Sequence, residues 1–487
     1  MGGVTLYQTE ALPLSLSARW RGLSTFQFLA ILILSTGVMS GVAFAPHLLA
    51  SLTMWVAAGM FGAASAVRLI LIWMTRRRPV SPPSPSNWPP YTIVCALHDE
   101  PHVVGQLIRG LARIDYPVDR LQGLIVLEQH DTATRDAALT TSLPDWLRIL
   151  IVPPGSPQTK PRALNEALKQ ATGEYMTIYD AEDIPDPGQL REAASRFASD
   201  LDGRTGCLQA PLRIRRRHAA LDPTPFVDRQ FAAEYAALFE VVLPGLAVFG
   251  FPFPLGGTSN HFRVDALRRL GAWDAHNVTE DADLGFRLWR AGYRLGVLSK
   301  PTWETPPGPV SHWLPQRTRW LKGYMQTFGV HTRRPWELGW RGGAAFLLTV
   351  GAGLVSAACH GPSLLWVAAA LMLAAASATS PALPALGLLI LGAGVLVAWL
   401  TCAVGSRRAG LAYGLREMAE APLYWSMLSI AFAHAAWRLL VQPFAWDKTP
   451  HRADTADGHP DVLETMLDAR PPGVLSAGHV AAPEPVV

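Results

Sequence analysis

Tyr175-Met176-Thr177-Ile178-Tyr179-Asp180-Ala181-Glu182-Asp183 is the stretch that decides how this chain folds. Tyr175–Tyr179 reads as a strand, and the chain turns acidic the moment it ends. Upstream, short apolar runs at 91–97, 124–127 and 149–152 read as further strands, the first buried on both faces. Between them Leu107, Ile108 and Leu111 form one helical stripe, and Leu164, Ala167, Leu168 and Ala171 another. That alternation predicts an α/β fold on a parallel sheet, with ligands beyond the carboxyl ends of its strands. Three of those ends run into acids: His98-Asp99-Glu100, Glu128-Gln129-His130-Asp131 and Asp180-Ala181-Glu182-Asp183. A single acidic loop is ordinarily just solvated, but three on one sheet edge point to a site. Asp180, Glu182 and Asp183 offer hard oxygens to Mg²⁺ or Mn²⁺ bridging to a diphosphate. Their mutual repulsion asks for a cation or a basic partner.

Further along, Thr279-Glu280-Asp281 opens a helix that Gly292 ends, and 293–298 reads as another strand. A carboxylate at a helix start is also an ordinary cap. Gln316, Arg319, Trp320 and Gly323 fall at i, i+3, i+4 and i+7, one face of a second helix. Amide, guanidinium and indole together suit a ligand carrying phosphate and a sugar ring better than a dry core. The loop 251–260, ending Gly256-Gly257-Thr258-Ser259-Asn260, reads either as a plain turn or as backbone approaching a sugar.

Thr-Glu-Asp followed by Gln-x-x-Arg-Trp resembles the processive family 2 glycosyltransferases, which include cellulose, chitin and hyaluronan synthases and some membrane lipid glycosyltransferases. The resemblance runs from 91 to 327. It implies a GT-A-type α/β nucleotide-sugar-binding domain, 91–335, inserted between N- and C-terminal transmembrane helices. It also implies roles. Asp281 would be the base, with Glu280 capping the helix or orienting it. Asp180 and Glu182 would hold Mg²⁺ or Mn²⁺; Glu182 stands where the family motif has Asp, so Asp183 is the alternative second ligand. Glu100, Glu128 or Asp131, Lys160, Gln209 and Arg319 would surround the donor, although Lys160 reads equally as a solvated lysine at a helix start. Asn260, Gln316 and Trp320 would face the acceptor. One direct displacement would invert the anomeric centre and give a β linkage.

The 487 residues are 49% hydrophobic and 16% charged, with a formal net charge of +4. That excess is too small to imply nucleic acid and fits a protein against an anionic cytoplasmic leaflet. Cys95, Cys207, Cys359 and Cys402 are too scattered for a disulfide framework or zinc site. The N-terminal unit, 1–78, holds two apolar runs, 26–44 and 48–73, each long enough to span a bilayer. Arg19 and Arg21 before them and Arg76, Arg77 and Arg78 after them place both flanks in the cytoplasm. A Pro- and Ser-rich linker, 79–90, follows. The C-terminal unit, 336–445, suggests spans at 343–358, 364–378, 383–402 and 422–441, the second short enough to be re-entrant. Four spans set Arg407, Arg408 and Arg416 outside, against the positive-inside preference, which an interfacial helix around 411–418 would repair. The tail, 446–487, is polar and Pro-rich, expected to be cytoplasmic and disordered. Its Trp446-Asp447-Lys448-Thr449-Pro450-His451 resembles a segment after the last helix in a bacterial subgroup of these synthases.

Three readings follow for a multi-pass protein of the cytoplasmic membrane. The leading one extends a β-linked polysaccharide from a UDP- or GDP-linked sugar, through a channel lined by aromatics. The second moves a single sugar to a lipid such as diacylglycerol or ceramide, through an opening at the bilayer surface. The third is an inactive membrane scaffold or export partner; export or accessory subunits are candidate partners in any case. The chain has no Phe-x-Val-Thr-x-Lys gating segment and no cyclic-dinucleotide domain, which disfavours cellulose.

Overall fold

The computed structural model describes residues 9–76, 82–215, 224–377 and 385–445. Arg77, Arg78, the start of the linker (79–81) and the tail (446–487) lie outside the described residues. The strands are β1 (Tyr91–Leu97), β2 (Leu121–Glu128), β3 (Leu147–Val152), β4 (Tyr175–Tyr179), β5 (Ile184–Pro185), β6 (Thr205–Gln209), β7 (Leu212–Ile214), β8 (Asn260–Arg263), β9 (Arg294–Val297) and β10 (Thr302–Glu304). The helices that position the site are α1 (Thr25–Phe44), α2 (Pro46–Met74), α3 (Lys160–Gln170), α4 (Phe226–Ala237), α5 (Glu280–Arg290), α6 (Val310–His331), α7 (Ala352–Ser377), α8 (Ala385–Ala409) and α9 (Leu415–Val441).

The main sheet has the order β3-β2-β1-β4-β8-β6-β9, and β5, β10 and β7 make a second, smaller one. The first four strands are parallel, whereas β8 runs antiparallel to both β4 and β6, so the sheet is mixed. Alternation along β1 sends Ile93, Cys95 and Leu97 to a core shared with Leu107, Ile108 and Leu111. Val94 points the other way, toward Leu164 and Leu168 of α3. Helices therefore cover both faces, as the continuous apolar character of β1 requires. The pairings Leu97↔Leu127 and Cys95↔Tyr179 set the acidic ends of β1, β2 and β4 along one edge.

Among the described residues four helical runs are long and apolar enough to cross a membrane: α1, α2, Phe226–Val248 and Pro335–Ala376. In addition, α8 carries no charge before Arg407. The Phe226–Val248 run has no counterpart among the sequence expectations. It begins as α4 and passes through a π turn at Leu238–Val242. Arg229 pairs with Glu417 of α9 at 3.2 Å, Ala236 backs onto Gly405 of α8, and Gly245 onto Leu71 of α2. It thus lies across the ends of three helices rather than alongside them.

Two C-terminal expectations need correction. The run 343–358 and the described part of the run 364–378 belong to one long helical stretch, Pro335–Ala376, which absorbs a π turn at Leu347–Gly351 and Pro362. The expected span at 422–441 is part of α9, which lies beside α6: Trp313 Nε1 donates to Tyr424 Oη at 3.1 Å and Lys322 Nζ to the Gln442 carbonyl at 3.3 Å. Helix α9 also packs along α7, where the Gly361 N–H donates to Ser429 Oγ at 2.9 Å, and of its charged groups Arg416, Glu417 and Glu420 precede the expected span. The separate interfacial helix around 411–418 is replaced by a short loop and the first turn of α9. Arg408 donates to Thr75 Oγ1 at the end of α2 (2.8 Å) and to the Glu240 carbonyl (2.7 Å). It therefore sits on the sheet's side of the bundle, and the conflict with the charge rule disappears.

Candidate active site

The turn Gly256-Gly257-Thr258 is the hub on which the strand-end acids meet the second half of the chain. Asp180, just past β4, is ion-paired with Lys160 at the start of α3. The same ammonium donates to the Gly257 carbonyl at 2.8 Å. A Cβ on Gly257 would lie 3.2 Å from Asp281 Oδ2, so a larger residue in the turn would press on that carboxylate. Thr258 donates its hydroxyl to Asp183 Oδ2, which also accepts the Asp180 N–H at 2.8 Å. From the end of β6, Gln209 latches the turn, accepting the Gly256 N–H (2.8 Å) and donating to the Thr258 carbonyl (3.0 Å).

Asp281 lies in the first turn of α5, where helix N–H groups favour negative charge, and its Oδ1 accepts the Ala282 N–H at 2.8 Å. Helix α6 crosses that start closely enough that a Cβ on Gly323 would lie 2.2 Å from Thr279 Oγ1. Two further bonds fix the crossing: Val278 N–H to Gln326 Oε1 and Asn277 Nδ2 to Thr327 Oγ1, both 3.0 Å. Buried Asp283 ties the helices again, bonded to Arg287 at 2.6 Å and to His331 at 3.0 Å. Trp320 stands beside Phe231 and Tyr235 of α4, with ring centroids 6.0 and 6.1 Å away. The Arg317 guanidinium lies 4.6 Å over the Trp320 ring and pairs with Glu234.

Burial dominates the electrostatics. It pushes the Glu280 carboxyl up to about 8, with help from neighbouring Asp281. Burial raises Asp281 too, but the Ala282 N–H, Lys160 and Arg319 pull it back toward the charged form. Of this pair Glu280 therefore holds its proton the more firmly, and Asp281 has the more groups favouring its charged form. Asp183 is held well above the usual carboxylate range by burial and by Asp180 and Glu182. Glu304 is raised by burial and the same cluster. Burial works against the Lys160 ammonium, but Asp180 and Glu280 outweigh it and hold its pKa above the ordinary value.

A cavity of about 960 Å³ runs through this constellation. Of the residues singled out in the sequence, Glu100, Glu128, Lys160, Asp180, Glu182, Glu280, Asp281, Gln316, Arg319 and Trp320 line it. Four do not reach it. Asp131 is the N-cap of the helix Thr132–Thr140, its oxygens taken by the N–H groups of Thr134 (3.1 Å) and Asp99 (2.5 Å). Gln209 is used up as the latch. Asn260 lies buried beneath the turn, donating to the Gly256 carbonyl at 2.5 Å, and Asp183 sits behind Asp180. Of the two pairs of alternatives, Glu128 and Glu182 are at the cavity. Glu128 is gripped by Arg162 through bonds of 2.9 and 3.2 Å.

Glu234, Tyr235, Glu304 and Arg317 also line the cavity and were not singled out in the sequence. A lone acid in the apolar run 231–238 was the available signal for Glu234. Arg317 is the first of the two unspecified positions in the Gln-x-x-Arg-Trp pattern. Among the described residues no three His, Cys, Asp or Glu side chains converge to hold a metal ion unaided. Asp180 and Glu182, however, both face the cavity, and behind them Asp183 Oδ1 is buried without a hydrogen-bond partner. That arrangement fits Mg²⁺ or Mn²⁺, which take one or two carboxylates and complete their shell with water and substrate phosphate.

Residues 89–323 match the family model described as glycosyltransferase like family 2. This part of the chain, a little under half of it, is similar to that family, and it has a GT-A-like α/β fold. It is 28% identical over 289 residues to a beta-monoglucosyldiacylglycerol synthase of Synechocystis sp., covering 56% of this chain and 57% of that one. It is 27% identical over 258 residues to the cellulose synthase 1 catalytic subunit of Komagataeibacter xylinus, covering 51% and 32%. The chain thus spans little more than half the length of the first relative and a third of the second. The mannosyltransferase PcManGT from Pyrobaculum calidifontis, solved with GDP-Man and Mn2+, shares the fold with a TM-score of 0.52 at 20% identity, over 80% of this chain and 98% of that one.

Proposed function

We propose that this protein is a membrane-embedded inverting glycosyltransferase that moves one sugar from a nucleotide-sugar donor to the hydroxyl of a membrane lipid. The observation that carries the proposal is the continuity of the cavity. From Asp180, Lys160 and Asp281 it extends along α2, α7 and α8, past Ala57, Ala64, Gly353 and Ala398. Small apolar walls suit acyl or prenyl chains. A sugar polymer calls for walls that are mainly aromatic and hydrogen-bonding; Phe61, Trp366, Ser65, Ser356, His360 and Ser363 supply some here, but apolar groups outnumber them, which favours the lipid reading over the polysaccharide one.

In this scheme Asp281 takes the proton of the acceptor hydroxyl as it attacks the anomeric carbon. Glu280, protonated at neutral pH, leaves the charge on its neighbour. Lys160 and Arg319 face the donor diphosphate, and Trp320, held by Tyr235 and Arg317, offers its ring to the sugar. Asp180 and Glu182 would hold a divalent ion, which supplies Lewis-acid stabilisation of the departing diphosphate. One displacement needs no second nucleophile and inverts the centre. Arg76 and Arg408, at the sheet's end of the bundle, support a cytoplasmic position for that end of a multi-pass protein. Exposed Trp73, Trp336 and Trp340 fit an interfacial aromatic belt.

Membranes carrying the protein are incubated with radiolabelled UDP-glucose, UDP-N-acetylglucosamine and GDP-mannose in turn. The expected result is an organic-soluble labelled product with one donor, lost on chelation and in the Asp180→Ala variant. Label recovered only as polymer overturns the lipid acceptor; full activity in excess chelator overturns the metal.

A further inference from the structure

The membrane-side stretch of the cavity holds one feature that sugar transfer to a neutral lipid does not use. Among the described lining residues on α2, α7 and α8, Arg68 is the only side chain with a permanent charge. It lies six residues before the end of α2, which at the α-helical rise is about 9 Å into the bundle. It makes no hydrogen bond or ion pair with any described residue, and the titratable side chain it feels is the Cys402 thiol. Ser65, one helical turn before it, and Thr401, beside Cys402 in the chain, also line the cavity and carry no charge.

The acids on this side of the protein are committed elsewhere. Glu234 is held by Arg317 and by Tyr424 Oη at 2.8 Å. Glu240 is held by Arg213 at 2.7 Å, and Glu417 and Glu420 by Arg229. Escape to water is also poorly placed. Helical side chains leave the backbone toward the helix N-terminus, and here that direction leads away from the interface at the end of α2. Arg68 is an exposed residue that lines the open cavity, and a guanidinium at this depth of an apolar bundle is costly unless an anion meets it.

We propose that Arg68 is an anion-binding site within the acceptor cavity that receives the phosphate of a lipid, so that the lipid bound there is a phosphate-bearing, anionic one. Guanidinium matches phosphate in bidentate geometry, and the small apolar walls around it take the chains. This rests on the lipid-acceptor reading above and narrows it from lipids in general to anionic ones.

The test is binding rather than turnover. Full-length protein in detergent is titrated with fluorescent phosphatidylglycerol and, separately, with fluorescent phosphatidylcholine. The native chain should prefer the anionic lipid, Arg68→Gln should lower that preference about tenfold, and Arg68→Lys should keep most of it. Arg76→Gln, altering an exposed arginine at the end of the same helix, should change little. Equal preference in the native chain and Arg68→Gln overturns the site, as does an equal loss in Arg76→Gln, which would mean diffuse interfacial attraction. Either failure leaves the transfer reaction untouched. Absence of any organic-soluble product in the donor assay would instead sink the underlying reading.

Discussion

At the sheet end of the cavity Asp180, Lys160, Gly257 and Asp281 form one chain of ion pairs, hydrogen bonds and close contacts, whereas at the membrane end Ala57, Ala64, Gly353 and Ala398 present little beyond methyl groups and backbone. The difference follows from what each end has to do. Reacting atoms must be held to within fractions of an ångström, which takes directional polar groups that are themselves held. An apolar chain needs only room and a wall, because the hydrophobic effect has no direction. Substitutions at the sheet end should therefore stop the chemistry, and those at the membrane end should change what is accepted.

The largest expected effect is at the base. Asp281→Asn should lower transfer by about 10²–10⁴-fold, the usual worth of a general base, while donor affinity measured by calorimetry stays within about twofold. Unchanged turnover in the purified variant would remove Asp281 from the mechanism. A smaller effect should separate the two ends. Gly353 faces open space, so Gly353→Phe should fill the membrane stretch and cut transfer to lipid about tenfold. Slow donor hydrolysis by water should persist; an equal loss of both reactions would break the proposed division of labour. The smallest effect concerns Glu280. Because Asp281 is raised, activity should fall on the acid side at a pH above the ordinary aspartate range, as the base takes up its proton. A second change of a few fold should appear near pH 8, where Glu280 ionises. Glu280→Gln should abolish this second change and keep the acid limb. A profile identical to the native one would show that Glu280 is silent.

The strands were legible because their signal is local. Tyr91–Leu97 and Tyr175–Tyr179 appear with the bounds that their apolar runs suggest, and β2 and β3 extend the expected cores by a few residues. Site residues were legible where a strand or helix end aims them in a fixed direction, as for Asp180, Lys160 and Asp281. Where the position lay on a loop or beneath one, sequence could not say which way the side chain faces. Asp131 turned inward to cap a helix, Gln209 and Asn260 took the backbone of the turn, and Asp183 filled in behind Asp180. Hydropathy also could not tell a helix that crosses the bundle from one lying under it. The Phe226–Val248 run drew no expectation at all, and its place across the ends of α2, α8 and α9 shows only in contacts such as those of Arg229 with Glu417 and Glu420.

The order of residues alone settled the alternating α/β sheet, the acids at its edge and the apolar ends, because each is a matter of periodicity or composition within a short window. Tertiary structure alone decided that α6 crosses the start of α5 at Gly323, that the Gly256-Gly257-Thr258 turn joins Lys160 to Asp281, and that Arg68 shares a cavity with both. Those depend on contacts between residues far apart in the chain, where a missing Cβ or a committed carboxylate has meaning only once its neighbours are in place.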